Sequence, residues 1–326
     1  MAAKLSQIFT RKNLRKLYGD YSFVISFVAL VIIALIFNPS FLSYSSLTTL
    51  LSNSTITGII ACGMTFVIIS GMIDLSVGSI VSLVAGLGVL LLNLTHSVWL
   101  TLAFCLAFGT ILGTINGLLV SYAGLASFIA TLATQSAYRS IITQIGQGGP
   151  FTVDKAILPD FSVVATGKLF GVIPFLPLFL IGIVLLSGFL LARTKFGRYV
   201  YATGSNEHAT TLAGIKPRGV KLKVLAFIGL LSGLSAFLLA SRMSSVTASN
   251  AGFGYELDAI AAVAIGGTSM AGGRGRIVGT FLGALMMQMI STILIAAKVD
   301  PFLTGLVKGV IIIVAVAFQS SNRKKA

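Results

Sequence analysis

The residues of this sequence best suited to chemistry are polar groups set inside apolar runs. Asp74 is the sharpest, standing in Gly71-Met72-Ile73-Asp74-Leu75-Ser76-Val77-Gly78-Ser79 between two hydrophobic stretches. A second acidic cluster, Glu256 and Asp258, follows Tyr255 in Gly252-Phe253-Gly254-Tyr255-Glu256-Leu257-Asp258. Asn116, Gln135, Arg139 and Lys308 also lie in otherwise apolar segments. Such groups are costly inside a membrane, so each needs a partner or a function. Asp74 either caps the positive end of a helix or, with Ser76, Ser79 and Asn116, lines a pathway for a hydroxyl-rich solute. Arg139 and Lys308 either extend to an interface or pair with an acid inside the bundle. Glu256 and Asp258 either cap the helix they lead into, shape an outer gate, or contact a delivering protein.

Catalytic and metal-binding patterns are missing. The sequence has no Gly-x-x-x-x-Gly-Lys-Ser/Thr and no His-Glu-x-x-His, so no cofactor is expected in this chain. Cys62 and Cys105 sit in apolar runs and read as small buried hydrophobes. His96 and His208 fall far apart in polar loops. Gly266-Gly267-Thr268 and Gly272-Gly273-Arg274-Gly275 lack the strand–helix setting of a phosphate loop and read as tight turns.

Of 326 residues, 56% are hydrophobic and 10% charged, against about 25% charged in soluble domains. That excludes an ordinary soluble globule, a disordered chain and a disulfide scaffold. The net charge of +15 comes from 23 basic and 8 acidic residues. In a membrane protein the position of such charge sets orientation. The basic clusters adjoin apolar spans, which points to membrane lipid as the surroundings and removes nucleic acid as a partner.

About 20 apolar residues cross a bilayer as a helix. Ten candidate spans follow: 20–38, 54–71, 75–93, 98–120, 126–146, 173–192, 222–242, 256–268, 277–297 and 303–319. The eighth is too short and Gly-rich for an ordinary crossing; a broken or re-entrant element is tolerated only where protein or a cavity surrounds it. Basic residues concentrate at 4–16, 193–223, 274–276 and 323–325, whereas Asp154, Asp160, Glu256, Asp258 and Asp300 fall on the other side. The expected protein is an all-α integral membrane protein of about ten transmembrane helices with both termini cytoplasmic. Its organisation is a basic segment at 1–19, a transmembrane domain at 20–319 and a basic tail at 320–326.

Within the loop 193–221, residues 205–215 carry a capping candidate, the first-turn acid Glu207 and a terminal glycine, Gly214. These are start and stop signals for a short helix, which either docks a partner or merely connects. The outer loop 147–171, with Pro150 and Pro159, reads as an irregular cap more readily than a partner site. Internally, Gly109-Thr110-Ile111-Leu112-Gly113-Thr114-Ile115-Asn116-Gly117 resembles Gly275-Arg276-Ile277-Val278-Gly279-Thr280-Phe281-Leu282-Gly283. Arg139 and Lys308 recur at a similar offset. An inverted repeat, common in transporters, is expected from this pattern.

Four segments together resemble the permease subunit of ribose/galactose-type ABC importers. They are Gly63–Ile68 running into Ile73–Ser79; Ser127-Phe128-Ile129-Ala130-Thr131-Leu132; Thr194–Arg198 through Asn206-Glu207 to Gly214-Ile215; and Gly254–Ala262 through Gly266-Gly267-Thr268 to Gly279-Thr280. They lie in order over about residues 55 to 320. The resemblance implies a transport subunit, not an enzyme, in the inner membrane of a prokaryote. It implies a second permease copy, a cytoplasmic ABC ATPase carrying ATP and Mg, and an extracytoplasmic sugar-binding protein. By the same resemblance Gly204, Asn206, Glu207, Ala209, Gly214 and Ile215 belong to the ATPase-coupling segment, and Tyr255, Glu256 and Asp258 to an outer gate or binding-protein contact. Asp74, Ser76, Ser79, Asn116 and Phe128 are the pathway candidates. The solute is a monosaccharide such as ribose; an autoinducer or nucleoside permease of the same family, or an ion-coupled secondary transporter using Asp74, is the alternative.

Overall fold

The computed structural model describes residues 11–300, 303, 305–311 and 313. The expected basic ends, residues 1–10 and 320–326, and much of the expected span 303–319 lie outside the described residues. The described residues up to 300 form α1 (Arg11–Phe37), α2 (Tyr44–Ile69), α3 (Val77–Thr95), α4 (Val98–Ser121), α5 (Ser127–Ile145), α6 (Leu158–Thr166), α7 (Phe175–Arg193), α8 (Lys195–Ser205), α9 (Glu207–Leu212), α10 (Pro217–Met243), α11 (Tyr255–Ile265) and α12 (Ile277–Ala296). Residues 305–311 are also helical. Two small antiparallel pairs complete the described structure: β1 (Pro150–Thr152) with β4 (Ser245–Thr247), and β2 (Lys168–Leu169) with β3 (Ile173–Pro174).

Among the described residues six helices, α2, α3, α4, α7, α10 and α12, are long and apolar enough to cross a membrane. Uninterrupted apolar sequence favours this outcome, because in lipid a helix satisfies every backbone group within its own segment. Helix α2 begins ten residues before the expected start at 54. Ser43 caps it by accepting from Ser46 N, and the hydroxyls of Ser54 and Thr55 return to the carbonyls of Leu50 and Leu51. The polar residues in that stretch therefore bond along the helix instead of ending it.

Helices α2 and α3 are buried on nearly all sides and form the centre of the bundle. Against them lies α10, which also packs closely on α4. A Cβ at Gly113 would stand 2.8 Å from Gly229 Cα, and one at Gly109 would stand 2.8 Å from Gly233 Cα. Only hydrogen at these positions lets the two backbones approach so closely. The second glycine motif does the same work elsewhere: Gly279 meets the backbone of Gly266 and Gly283 that of Ala262, drawing α12 onto α11.

The loop 147–171, expected as an irregular cap, instead folds into β1, α6 and β2, and β2 pairs with β3 just beyond it. Phe151 and Val246, opposite one another in β1 and β4, both point into the core. Beyond β4 the chain turns inward rather than staying at the end of the bundle. Ser82 Oγ donates to Ala248 O at 2.8 Å, and Gly78, one turn away on α3, packs against the carbonyl of Gly252. Residues 248–254 thus descend along α3 as a series of turns, not a regular helix, and deliver α11, eleven residues long, into the interior.

Candidate functional site: two broken segments and the exposed helices below them

Two non-helical stretches cross the interior, and α5 supports both. In the first, residues 70–76, Ile73 N donates to Ser127 Oγ and Leu75 N to Thr131 Oγ1, each at 3.1 Å. Side chains of the first turns of α5 thereby replace the missing helical acceptors. Asp74 is fully buried, and its Oδ1 accepts from Ser76 N at 2.8 Å and Ser76 Oγ at 2.6 Å. Asn116 Nδ2 on α4 donates to Ser76 Oγ at 2.7 Å. Ser76 holds the N-cap position of α3 without a side-chain capping bond, and Asp74 accepts the amide of that residue. Asp74, Ser76 and Asn116 therefore form one network. Ser79 is equally buried but bonds within its own turn, to Ser76 O. Phe128, in the first turn of α5, is half exposed.

The second stretch, 248–254, leaves backbone carbonyls inside the bundle. Arg139 of α5 takes them up: its Nη1 donates to Ala251 O at 2.6 Å and Ala248 O at 2.9 Å. The expected choice between reaching an interface and pairing with an acid omitted this third partner, the backbone itself. One turn earlier, Gln135 Nε2 donates to Glu256 Oε1 at 3.3 Å. Glu256 Oε2 has no hydrogen-bond partner among the described residues and faces Gly78, where a Cβ would stand 2.5 Å away. Asp258 pairs with Lys308 Nζ at 2.9 Å. Tyr255 begins the helix and is partly buried against the core.

At the other end of the molecule the basic connection forms two short helices. Thr194 caps α8 by accepting from Gly197 N, and Asn206 caps α9 by accepting from Ala209 N at 2.9 Å. Gly214, at φ +78, ends the turn after Leu212, and Ile215 packs against the core. Helix α9 is exposed apart from Thr210. Glu207 reaches Lys221 Nζ of α10 at 2.7 Å. Gly204 lies against the carbonyl of Ile69 at the end of α2, and Gly273 N donates to that same carbonyl at 2.8 Å. Tyr201 Oη donates to Gly275 O at 2.6 Å; burial raises its pKa, which keeps the phenol protonated as a donor. The exposed α9 is therefore joined through α8 to the base of the central helix. No group of three or more potential metal ligands occurs among the described residues.

Residues 46–316 match the family described as branched-chain amino acid transport system / permease component. The chain belongs to this permease family. The ribose import permease protein RbsC of Bacillus subtilis is 42% identical to the permease over 298 residues, covering 91% of this chain and 90% of the relative. RbsC of Haemophilus influenzae is 39% identical over 296 residues, covering 89% and 91%. The xylose transport system permease protein XylH of Escherichia coli is 32% identical, covering 88% of each chain. No solved structure matches. The permease is thus a multi-pass transport subunit of the inner membrane, not an enzyme.

Sequence reasoning identified the polar residues but not all of their supports. Ser127 and Thr131 serve the amides of 70–76 through contacts more than fifty residues away in sequence. Both residues stand in the segment Ser127–Leu132 that carries part of the family resemblance, but their spacing of one turn did not reveal which amides they serve.

Proposed function

We propose that this chain is the membrane-spanning subunit of an ATP-driven importer for ribose or a closely related monosaccharide. The observation that carries this reading is the 42% identity with a ribose import permease across nearly the whole of both chains. The accompanying partners are a cytoplasmic ABC ATPase that holds ATP and Mg, an extracytoplasmic sugar-binding protein and a second permease copy. Ten crossings with both termini inside, arranged as an inverted repeat, complete the proposed topology.

The exposed α9 is the element through which the ATPase acts, with Gly204, Asn206, Glu207, Ala209, Gly214 and Ile215 forming and seating it. Displacement of α9 reaches α2 through Gly204 and Ile69, a short route between nucleotide state and helix packing. Alternating access then follows from two arrangements of the bundle with different affinities for ATPase states.

The pathway runs along the face of α5 that carries Phe128, Gln135 and Arg139, beside Tyr255, Glu256 and Asp258. Partly exposed polar groups are costly against lipid, so this face is covered by the second copy and water. Asp74, Ser76, Ser79 and Asn116 lie behind that wall and hold the segment 70–76 in place. A neutral sugar needs hydroxyl-matching donors and acceptors, not a ring of fixed charge.

Reconstitution tests the reading. Proteoliposomes holding this chain, its ATPase and its sugar-binding protein should accumulate labelled ribose or a related monosaccharide only when ATP is supplied. Uptake by this chain alone, driven by a proton gradient, would overturn it.

A further inference from the structure

At the basic end a cleft of about 530 Å³ opens between the turn after α2, the α4–α5 connection and the start of α10. Its polar lining includes Ser121, Ser127, Glu207, Arg218 and Lys221. Ser121 is 5% exposed, and its Oγ has no hydrogen-bond partner among the described residues. Lys221 is paired with Glu207, whereas Arg218 belongs to neither ion pair found among the described residues. With Arg218, Lys221 and Glu207 ionised, the three side chains leave a single net positive charge.

Tyr122, half exposed, also lines the cleft and is the end of an apolar stripe on α4. Ile111, Ile115 and Leu118 precede it at helical spacing, and all three are exposed. The stripe therefore leads from the lipid-facing side of α4 directly into a cationic cleft. A soluble anion would use the cleft and leave the stripe without a role. A phospholipid uses both: its phosphate meets the cations and its acyl chain lies along the helix. Basic pockets between membrane helices suit such head groups.

We propose that this cleft binds the phosphodiester of an anionic phospholipid, with Arg218 as the principal cation, Ser121 Oγ as a donor to a phosphate oxygen, and an acyl chain on Ile111, Ile115 and Leu118. This goes beyond the import function and does not depend on the identity of the solute. Arg218 is exposed, so its replacement leaves the packing of the bundle intact.

The test is native mass spectrometry of the full chain in mild detergent, titrated with phosphatidylglycerol, phosphatidylcholine or inorganic phosphate. Wild type should retain phosphatidylglycerol in preference to phosphatidylcholine, and Arg218→Gln with Lys221→Gln should weaken retention about tenfold. Arg198→Gln, outside the cleft, should have no effect. Ser121→Ala gives a smaller loss in the same direction. Equal retention of the two lipids, or unchanged phosphatidylglycerol binding in the double variant, would overturn the proposal. So would displacement of phosphatidylglycerol by millimolar inorganic phosphate, which would assign the cleft to a soluble anion.

Discussion

Glu207 and Lys221 are joined by a 2.7 Å ion pair that ties the exposed helix α9 to the second turn of α10. Through this contact the first residue of the short helix is linked to a long bundle helix, and Glu207 is half exposed. Exposed pairs contribute only about 0.2–1 kcal/mol. Its value is directional, since it fixes where α9 sits relative to the bundle.

Glu207→Gln should therefore leave insertion and thermal stability almost unchanged, within about 1 kcal/mol. Sugar uptake per ATP hydrolysed should fall severalfold in proteoliposomes. An unchanged transport-to-hydrolysis ratio would count against coupling through this residue.

Gly204 offers a second view of the same route. Its hydrogen faces the carbonyl of Ile69, and any Cβ would collide with backbone rather than with a movable side chain. Gly204→Val should separate α8 from the end of α2. The expected result is a membrane-inserted subunit that still recovers the ATPase in a pull-down but transports poorly.

For Asp74 the informative comparison is between two substitutions. Asp74→Asn keeps an oxygen for Ser76 N and Oγ, whereas Asp74→Ala leaves both buried donors without it. Loss of a buried acceptor costs about 1–3 kcal/mol, so alanine should lower the melting temperature clearly and asparagine much less. If asparagine abolishes uptake while the melting temperature holds, Asp74 acts in transport beyond holding its segment.

Arg139 supports backbone carbonyls of a segment outside the regular helices. Arg139→Ala removes a charged donor from Ala248 and Ala251, at about 1.5–3 kcal/mol for each such bond. Hydrogen exchange should rise across residues 248–254 before it rises in α2 or α3. Uniform exchange through the bundle would show that this segment is held by other contacts.

Close packing makes the strongest stability prediction. Gly113→Leu places a side chain where Gly229 Cα already stands 2.8 Å from a bare Cβ. Helices α4 and α10 must then part, and folded protein should be nearly lost. Gly182→Leu, on a helix where a Cβ meets open space, is the matched control and should express normally.

Much of the helical frame was legible because lipid leaves an apolar chain few choices. The expected spans 98–120, 173–192 and 277–297 fall within two residues of α4, α7 and α12. The short eighth span and the short helix after Asn206 were legible as well, from length, capping residues and glycine. The extension of α2 was not, because its serines and threonines read as polar sequence until their hydroxyls are seen to return to the preceding turn.

By itself the sequence determined that the chain is a membrane permease: uninterrupted apolar runs favour helices, basic clusters mark one end, and ordered motifs mark the family. Tertiary structure decided what the isolated polar residues do. Arg139 answers carbonyls more than one hundred positions away, Lys308 answers Asp258, and Asn116 answers Ser76. The periodicity of a helix reports which face is apolar, but a buried hydrogen bond depends on which distant backbone is brought within 3 Å. That choice belongs to helix packing, where glycines at 109, 113, 229 and 233 set how closely the backbones can approach.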